Sequence, residues 1–417
     1  MMNRRRQLLS LAALWLTSRA LMLWLLTHES APLLGGGSVA REVWGLYFHW
    51  YGLLSHGTFP AHDPLWQYPP AAGAVLLSPA LLPGLSYFQA FVVLTLVSDA
   101  VIAAALARAG TRPGRSLLGA WLWIGGLPLM LQMPLARYDV QATALAVISL
   151  LTLSRFPRVS GGFAALGALV KVWPVLVLLG PPRGRPTRSA GTWAAMTGAA
   201  TLGLFVLLFN NPLSFLRQQG GRGVQIESLG GTALSLARHA GWPGRVKYRY
   251  GAMEFVGPYV STVADASLAL TAVAFGLLLL WRMRARRWSE ATPFDAALCA
   301  VLLFTVTSRV ISPQYMIWLL GLAAVCLTSR HTAQRPVAAL VVAAIAVTTV
   351  EYPMLYGQVT HCTWTGTLLM VVRNGLLVAA TALSVVRLWR STRPQSAQQC
   401  PSPVPRPAAA VLPAGQH

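Results

Sequence analysis

Acidic side chains are scarce in this chain, eleven in 417 residues against 33 basic ones, so their positions narrow the chemistry available. Glu29, Glu42, Asp63, Asp139, Glu227, Glu254 and Glu351 accompany Arg41, Arg137, Arg222, Arg245, Lys247, Arg249 and Arg309 in or beside the polar connections. A mixed set of carboxylates and arginines of this kind suits an anionic ligand. Asp63 lies in the stretch His62-Asp63-Pro64-Leu65-Trp66-Gln67-Tyr68-Pro69-Pro70, which puts a carboxylate, an amide and two aromatics on a proline-stiffened backbone. Lys171 precedes Val172-Trp173-Pro174 in the middle of an apolar run, and a charge there is a functional candidate by default because its burial is costly.

The elements that must position these groups are membrane helices. The chain is 55% hydrophobic and 11% charged, with a mean hydropathy of +0.55, against about 25% charged residues in a soluble domain. The net charge of +22 could suggest nucleic-acid binding, but its distribution argues otherwise. Arginines fall in short clusters beyond hydrophobic runs: 4–6, 112 and 115, 155 and 158, 183–188, 282–287 and 387–393. That is the positive-inside pattern, and it makes both termini cytoplasmic in a multi-pass plasma-membrane protein. The first span, after Met-Met-Asn-Arg-Arg-Arg, reads as a retained signal anchor. Cys299, Cys326, Cys362 and Cys400 have no metal or redox spacing.

Spans are predicted at 8–27, 86–108, 117–133, 139–154, 190–209, 259–281, 294–310, 315–328, 336–351 and 365–388. External loops are expected at about 28–70 and 210–258, and a disordered cytoplasmic tail at 391–417. Residues 71–83 are too short to cross a core of about 30 Å comfortably. Residues 160–181 have basic groups on both sides, so the charge bias makes both segments re-entrant, the second broken near Lys171–Pro174. The expected fold class is therefore all-α, a polytopic membrane protein of about 10–12 transmembrane helices with re-entrant or broken helices, forming one domain over 1–390. No internal repeat is visible, which weakens an inverted-repeat transporter.

Several residues admit a plainer reading. Lys171 could pair with a structural acid or a backbone carbonyl, and Asp99 with a neighbouring helix. Arg137 and Asp139 at a helix entry could be a snorkelling cation and a cap. Tyr47, Trp50, Trp66 and Tyr68 could form an interfacial aromatic belt.

Five further stretches occur in order with the Trp-Gln-Tyr-Pro-Pro motif: VSDA near 98, ARYDVQATAL at 136–145, GALVKVWPVLVLL at 167–179, RGVQIESL at 222–229 and SPQYMIWLL at 312–320. The set resembles family 87 glycosyltransferases of the GT-C superfamily, over about residues 40 to 325; polyprenol-phosphate-mannose-dependent mannosyltransferases belong there. The resemblance implies a GT-C fold and transfer of a sugar, with mannose expected, from a polyprenyl phosphate donor to a hydroxyl of a glycan or glycolipid acceptor. Transfer would occur outside the cytoplasm, with inversion in one displacement and a carboxylate of the first external loop as base. It further implies that Glu42 or Asp63 is the catalytic base. Lys171, Arg309 and Arg222 would bind the donor phosphate, and Tyr68, Trp66, Gln67, Asp139, Gln314 and Tyr315 would position donor or sugar. Glu227 would hold Arg222 or bind the acceptor. Where the family has aspartate before its aromatic stretch, this chain has Glu42, one methylene longer. No carboxylate cluster demands a metal, although external acids could hold Mg or Mn through waters. The competing expectations are a transporter of polyprenyl-linked sugars and a non-catalytic membrane subunit.

Overall fold

The computed structural model describes residues 4–29 and 38–393. Helix α1 (Arg4–Thr27) is followed by a π-helical turn, Glu42–Tyr47, that runs into α2 (Phe48–Ser55). The chain continues through α3 (Ala72–Leu77), α4 (Tyr87–Gly110), α5 (Leu118–Gly126), α6 (Asp139–Thr152), α7 (Pro157–Val170) and α8 (Arg185–Leu208). The region expected to be an external loop is itself folded: α9 (Phe215–Gly220), β1 (Val224–Gln225), α10 (Leu229–His239), β2 (Arg245–Arg249) and β3 (Ala252–Val256). The three strands form one antiparallel sheet in the order β1-β3-β2, with Val224 opposite Phe255 and Val246 opposite the same residue on the other side. Six helices follow among the described residues: α11 (Val260–Arg284), α12 (Thr292–Thr307), α13 (Tyr315–Leu327), α14 (Arg335–Thr349), then α15 (Tyr356–Thr360) and α16 (Trp364–Thr392).

Among the described residues six helices are long and apolar enough to cross a membrane, and five shorter apolar helices lie with them. The protein is an all-α polytopic membrane protein, as its composition indicates. The two suspect segments behave differently from the long spans. The α3 segment, extended by a 3-10 turn to Leu81, is 10 residues, about 15 Å at helical rise, half of the hydrocarbon core. Helix α7 stops at Lys171, whose backbone is extended (φ −154°, ψ 127°), and Pro174 opens a 3-10 helix from Trp173 to Leu179. By Arg183 the chain is back on the face from which α7 started, where the Arg183 guanidinium donates to the Met283 carbonyl at the end of α11. Helix α8 then sets out beside α7 in the same direction. A Cβ at Gly161 would lie 2.1 Å from the Ala190 carbonyl oxygen, so this crossing closes only with glycine.

Helices α12 and α13 are apolar all round and buried along nearly their whole lengths, as a helix without a polar face must be. Helix α1 lies outside them and is tied in by charge. Arg19 and Asp99 are 2% and 0% exposed. The guanidinium donates twice to the carboxylate, through Nε at 2.8 Å and Nη2 at 2.8 Å, and Nη1 donates to the Ile124 carbonyl at 2.7 Å. The indoles of Trp15 and Trp123 supply two further bonds to Asp99, at 2.7 and 2.8 Å. Asp99 is thereby satisfied on both oxygens and serves to join α1, α4 and α5. Helix α16 continues through Thr392, past the expected start of the tail at 391; Cys400 and the other residues from 394 onward lie outside the described residues.

Removing one partner of a buried ion pair strands the other. Arg19→Met is expected to cost about 3–5 kcal/mol of stability, read by unfolding of the purified protein in detergent. Arg19→Met with Asp99→Leu is expected to recover most of that loss. An unchanged midpoint in the single variant would show that the pair does not hold α1.

Candidate active site

The face opposite the arginine clusters gathers most of the residues singled out above. Tyr68 is the meeting point. Its phenol is pushed well above its ordinary range, first by burial and then by the charges of Glu42 and Asp139, opposed by Arg137 and Arg222. Four charged groups from three segments of the chain therefore act on one side chain. Tyr315, at the start of α13, lies within the influence of Arg222, Asp139 and Glu227.

Glu42 enters from the π-helical turn. Its carboxylate is 3.6 Å from Arg137 Nη2, its side chain is 29% exposed, and no hydrogen-bond donor reaches it among the described residues. Arg137 does not snorkel. It is buried and donates to the carbonyls of Ala136 at 2.8 Å and Val39 at 3.2 Å, so its charge is fixed beside Glu42. Asp139 is no helix cap either: it opens α6 with its side chain turned to Lys171 and Trp318.

Lys171 Nζ donates to Asp139 Oδ1 at 2.7 Å, and the Trp318 indole donates to the same oxygen at 2.6 Å. The ammonium also lies 4.5 Å from the Tyr138 ring centre, 5.4 Å from Trp318 and 5.6 Å from Tyr68. A break in the re-entrant segment thus places a cation inside an aromatic cage, and the cage rests on stacked rings: Tyr315 on Trp318 at 3.8 Å and Trp173 on Trp318 at 5.3 Å. Asp139 Oδ2 and the Tyr138 hydroxyl are buried and have no hydrogen-bond partner. Buried polar atoms left open in a native site call for a water or a ligand.

The stretch around Asp63 builds the wall of the site. Asp63 accepts from Trp50 Nε1 at 2.7 Å and from the Leu65 backbone at 2.9 Å, so each oxygen already has a donor. Trp66 is fully buried edge-on to Trp50 and Phe59, at 5.1 Å from each. Gln67 is buried, donates to the Pro64 carbonyl and offers its own carbonyl to Gln219. Of these residues only Tyr68 reaches the charged centre.

Arg222 and Arg309 meet in an open pocket of about 400 Å³, together with Arg249, Glu254, Asp265 and the Gly220–Gly223 backbone. Arg222 pairs with Glu254 at 3.3 Å, not with Glu227, and Arg309 donates to the Gln219 carbonyl. Glu227 instead accepts from Gln225 at 2.8 Å, while its backbone carbonyl takes bonds from Arg373 at 2.9 Å and Asn374 at 3.2 Å. Arg373 is in turn 3.3 Å from Glu351. Burial, and after it the charge of Glu351, pushes the Glu227 carboxyl well above the ordinary carboxylate range. Gln314 stands just before α13, and its side chain makes no hydrogen bond among the described residues. Arg373, Asn374, Trp318 and Tyr138 escaped the sequence reading, although an arginine in the middle of an apolar span carried a usable signal. Among the described residues no group of three His, Cys, Asp or Glu is placed to hold a metal ion.

The chain belongs to glycosyltransferase family 87, whose family model matches residues 66–313. The matched stretch includes Tyr68, Asp139, Lys171, Arg222, Glu227 and Arg309, and it leaves out Glu42, Asp63, Gln314, Tyr315 and Arg373. No curated protein matches the chain.

A carboxyl whose folded-state pKa is raised binds its proton more tightly in the folded than in the unfolded chain. Stability then falls as pH rises above the ordinary carboxyl range of about 4–5, until the folded-state value is passed. Glu227→Gln is expected to flatten this fall, measured as unfolding midpoint against pH from 4.5 upward. Equal slopes in both proteins would contradict the buried-acid assignment.

Proposed function

We propose that the protein transfers a sugar, mannose, from a polyprenyl phosphate carrier to a hydroxyl of a glycan or glycolipid on the extracytoplasmic face. The observation that carries the reading is the unequal state of the two candidate bases. Glu42 has a half-open carboxylate without donors, whereas both oxygens of Asp63 are taken. Glu42 is then the base, and the fixed guanidinium of Arg137, 3.6 Å away, aims its carboxylate. As the acceptor oxygen bonds to the anomeric carbon, the bond from that carbon to the carrier phosphate breaks. The hydroxyl proton passes to Glu42, and the anomeric centre inverts.

The leaving phosphate gains charge and needs cations in a water-poor setting. Arg222 and Arg309, lining one pocket, supply them on the side from which a lipid carrier would approach, and Arg222 also faces Tyr68. Lys171 has two N–H bonds left after its bond to Asp139, and Asp139 Oδ2 is free to accept a sugar hydroxyl. Tyr68, Tyr315 and Trp318 offer ring faces. Asp63, Trp66 and Gln67 position this wall without touching substrate. The positive-inside arginine clusters support cytoplasmic termini and an external site.

Transfer from radiolabelled polyprenyl phosphate sugar by membranes carrying each variant tests the assignment. Glu42→Gln is expected to lower kcat by about 10²–10⁴-fold, and Arg222→Gln to raise KM for the donor. Asp63→Asn is expected to lower the melting temperature more than the rate. Normal transfer by Glu42→Gln would remove Glu42 as base.

A further inference from the structure

The first turns of α7 and α8 meet on the face away from Glu42. Arg158, Arg185, Arg188, Ser189, Thr192 and Trp193 line a groove there of about 500 Å³. Some other arginines on this face are committed. Arg115 pairs with Glu290 at 2.9 Å, Arg183 donates to the Met283 carbonyl, and Arg387 donates to the Ala333 carbonyl. The three groove arginines are exposed, and among the described residues none has an ion pair or a side-chain hydrogen bond. Their one close partner is aromatic: the Arg158 guanidinium lies 5.9 Å from the Trp193 ring centre.

Three like charges held around one groove repel one another, and a solvated topogenic cluster has no need of that arrangement. The groove also opens onto the bilayer. Only 6% of the apolar window of α8 is buried inside the protein, so this helix faces lipid along its length. Trp193, 40% exposed one turn above Ser189, is the amphipathic ring that sits at headgroup level.

We propose that this groove is a headgroup site for an anionic phospholipid in the leaflet opposite the proposed transfer site. The guanidinium forks would take the phosphate, and the Ser189 and Thr192 hydroxyls would add donors. The Trp193 ring would pack on the glycerol region. A zwitterionic headgroup brings no net charge to offset three arginines, so the site selects lipids of net negative charge. The bound lipid would seat the re-entrant segment, because α7 carries Arg158 in its first turn and Lys171 just past its last, about 20 Å away.

The test uses the full chain in detergent, with phosphatidylglycerol and phosphatidylcholine as probes and retained lipid counted by native mass spectrometry. The combined Arg158→Gln, Arg185→Gln and Arg188→Gln variant is expected to lose affinity for phosphatidylglycerol on the order of a hundredfold. Phosphatidylcholine retention should not change. Arg335→Gln, an exposed arginine on another helix of the same face, should bind as the wild type does. The same three positions changed to Lys should keep most of the affinity, which separates charge from misfolding. Wild-type affinity in the triple Gln variant, or an equal loss in Arg335→Gln, would overturn the site. Displacement of phosphatidylglycerol by millimolar inorganic phosphate would overturn the lipid assignment in favour of a free-anion site.

Discussion

A charge sequestered among apolar helices must find its counter-charge within the protein, and the site of this enzyme is organised around one such requirement. Lys171 sits where a re-entrant helix breaks, and its ammonium is neutralised by Asp139 at 2.7 Å. That bond fixes more than a charge. It anchors the broken segment to the first turn of α6, and through the shared Trp318 bond it anchors both to α13. Backbone interrupted within a membrane is tolerated only where protein or a wet cavity covers it. The Lys171 cage is the means by which the freed end of α7 is covered. Without the pair, the break, the aromatic stack of Tyr315, Trp318 and Trp173, and the position of Tyr68 would have no common reference.

The buried ion pairs separate by how fully they are satisfied. Asp99 has four donors and nothing left to offer, which is the condition of a structural pin. Asp139 has both its donors on one oxygen, and the other oxygen is bare. Glu42 has a cation nearby and no donor. Arg373 donates from Nη2 to the Glu227 carbonyl and lies 3.3 Å from Glu351, which holds the segment after β1, while its buried Nε and Nη1 have no hydrogen-bond partner among the described residues. Saturation is costly to give up, because an unmet buried polar group loses its hydration without compensation. Within a candidate site, a group left open is one that a substrate can close. On that criterion the proposed chemistry draws on Glu42 and Asp139, while Asp99 and Asp63 belong to the frame.

This difference also explains what could be read in advance. Helix spans follow from runs of apolar residues. The return of the chain after Lys171 follows from arginines on both sides of 160–181, because charge bias is a global rule that needs no partner. Partners are another matter. Nothing local in Val-Lys171-Val-Trp says that its acid lies 32 residues earlier, since that contact is made by packing. The sheet at 224–256 was hidden for a related reason. Its strands are two to five residues long, lie among glycines and arginines, and owe their pairing to Phe255 packing beside Val224 and Ile226. Arg373 was overlooked although it was visible. Counting a span by average hydropathy conceals its one charged residue, which is the residue most costly to bury.

The glutamate at position 42 raises a geometric question that the fold partly answers. A carboxylate one methylene longer than aspartate, carried on an otherwise unchanged backbone, would reach about 1 Å further, and a displacement of that size can cost much of a rate. Here Glu42 begins a π-helical turn, Glu42–Tyr47, before the chain settles into α2. A π turn takes in an extra residue and rotates the side chains on either side of it, and such turns are concentrated at functional sites. Tyr47, at the far end of the turn, is fully buried against Phe91 and Tyr138. The later part of the segment is therefore fixed, and the local rewinding is taken up at its first residues, where Glu42 and its contact with Arg137 lie. Backbone geometry and side-chain length are thus coupled at this position. Shortening Glu42 while keeping the π turn would withdraw the carboxylate from Arg137, so the length of the acid and the geometry of the turn together set this contact.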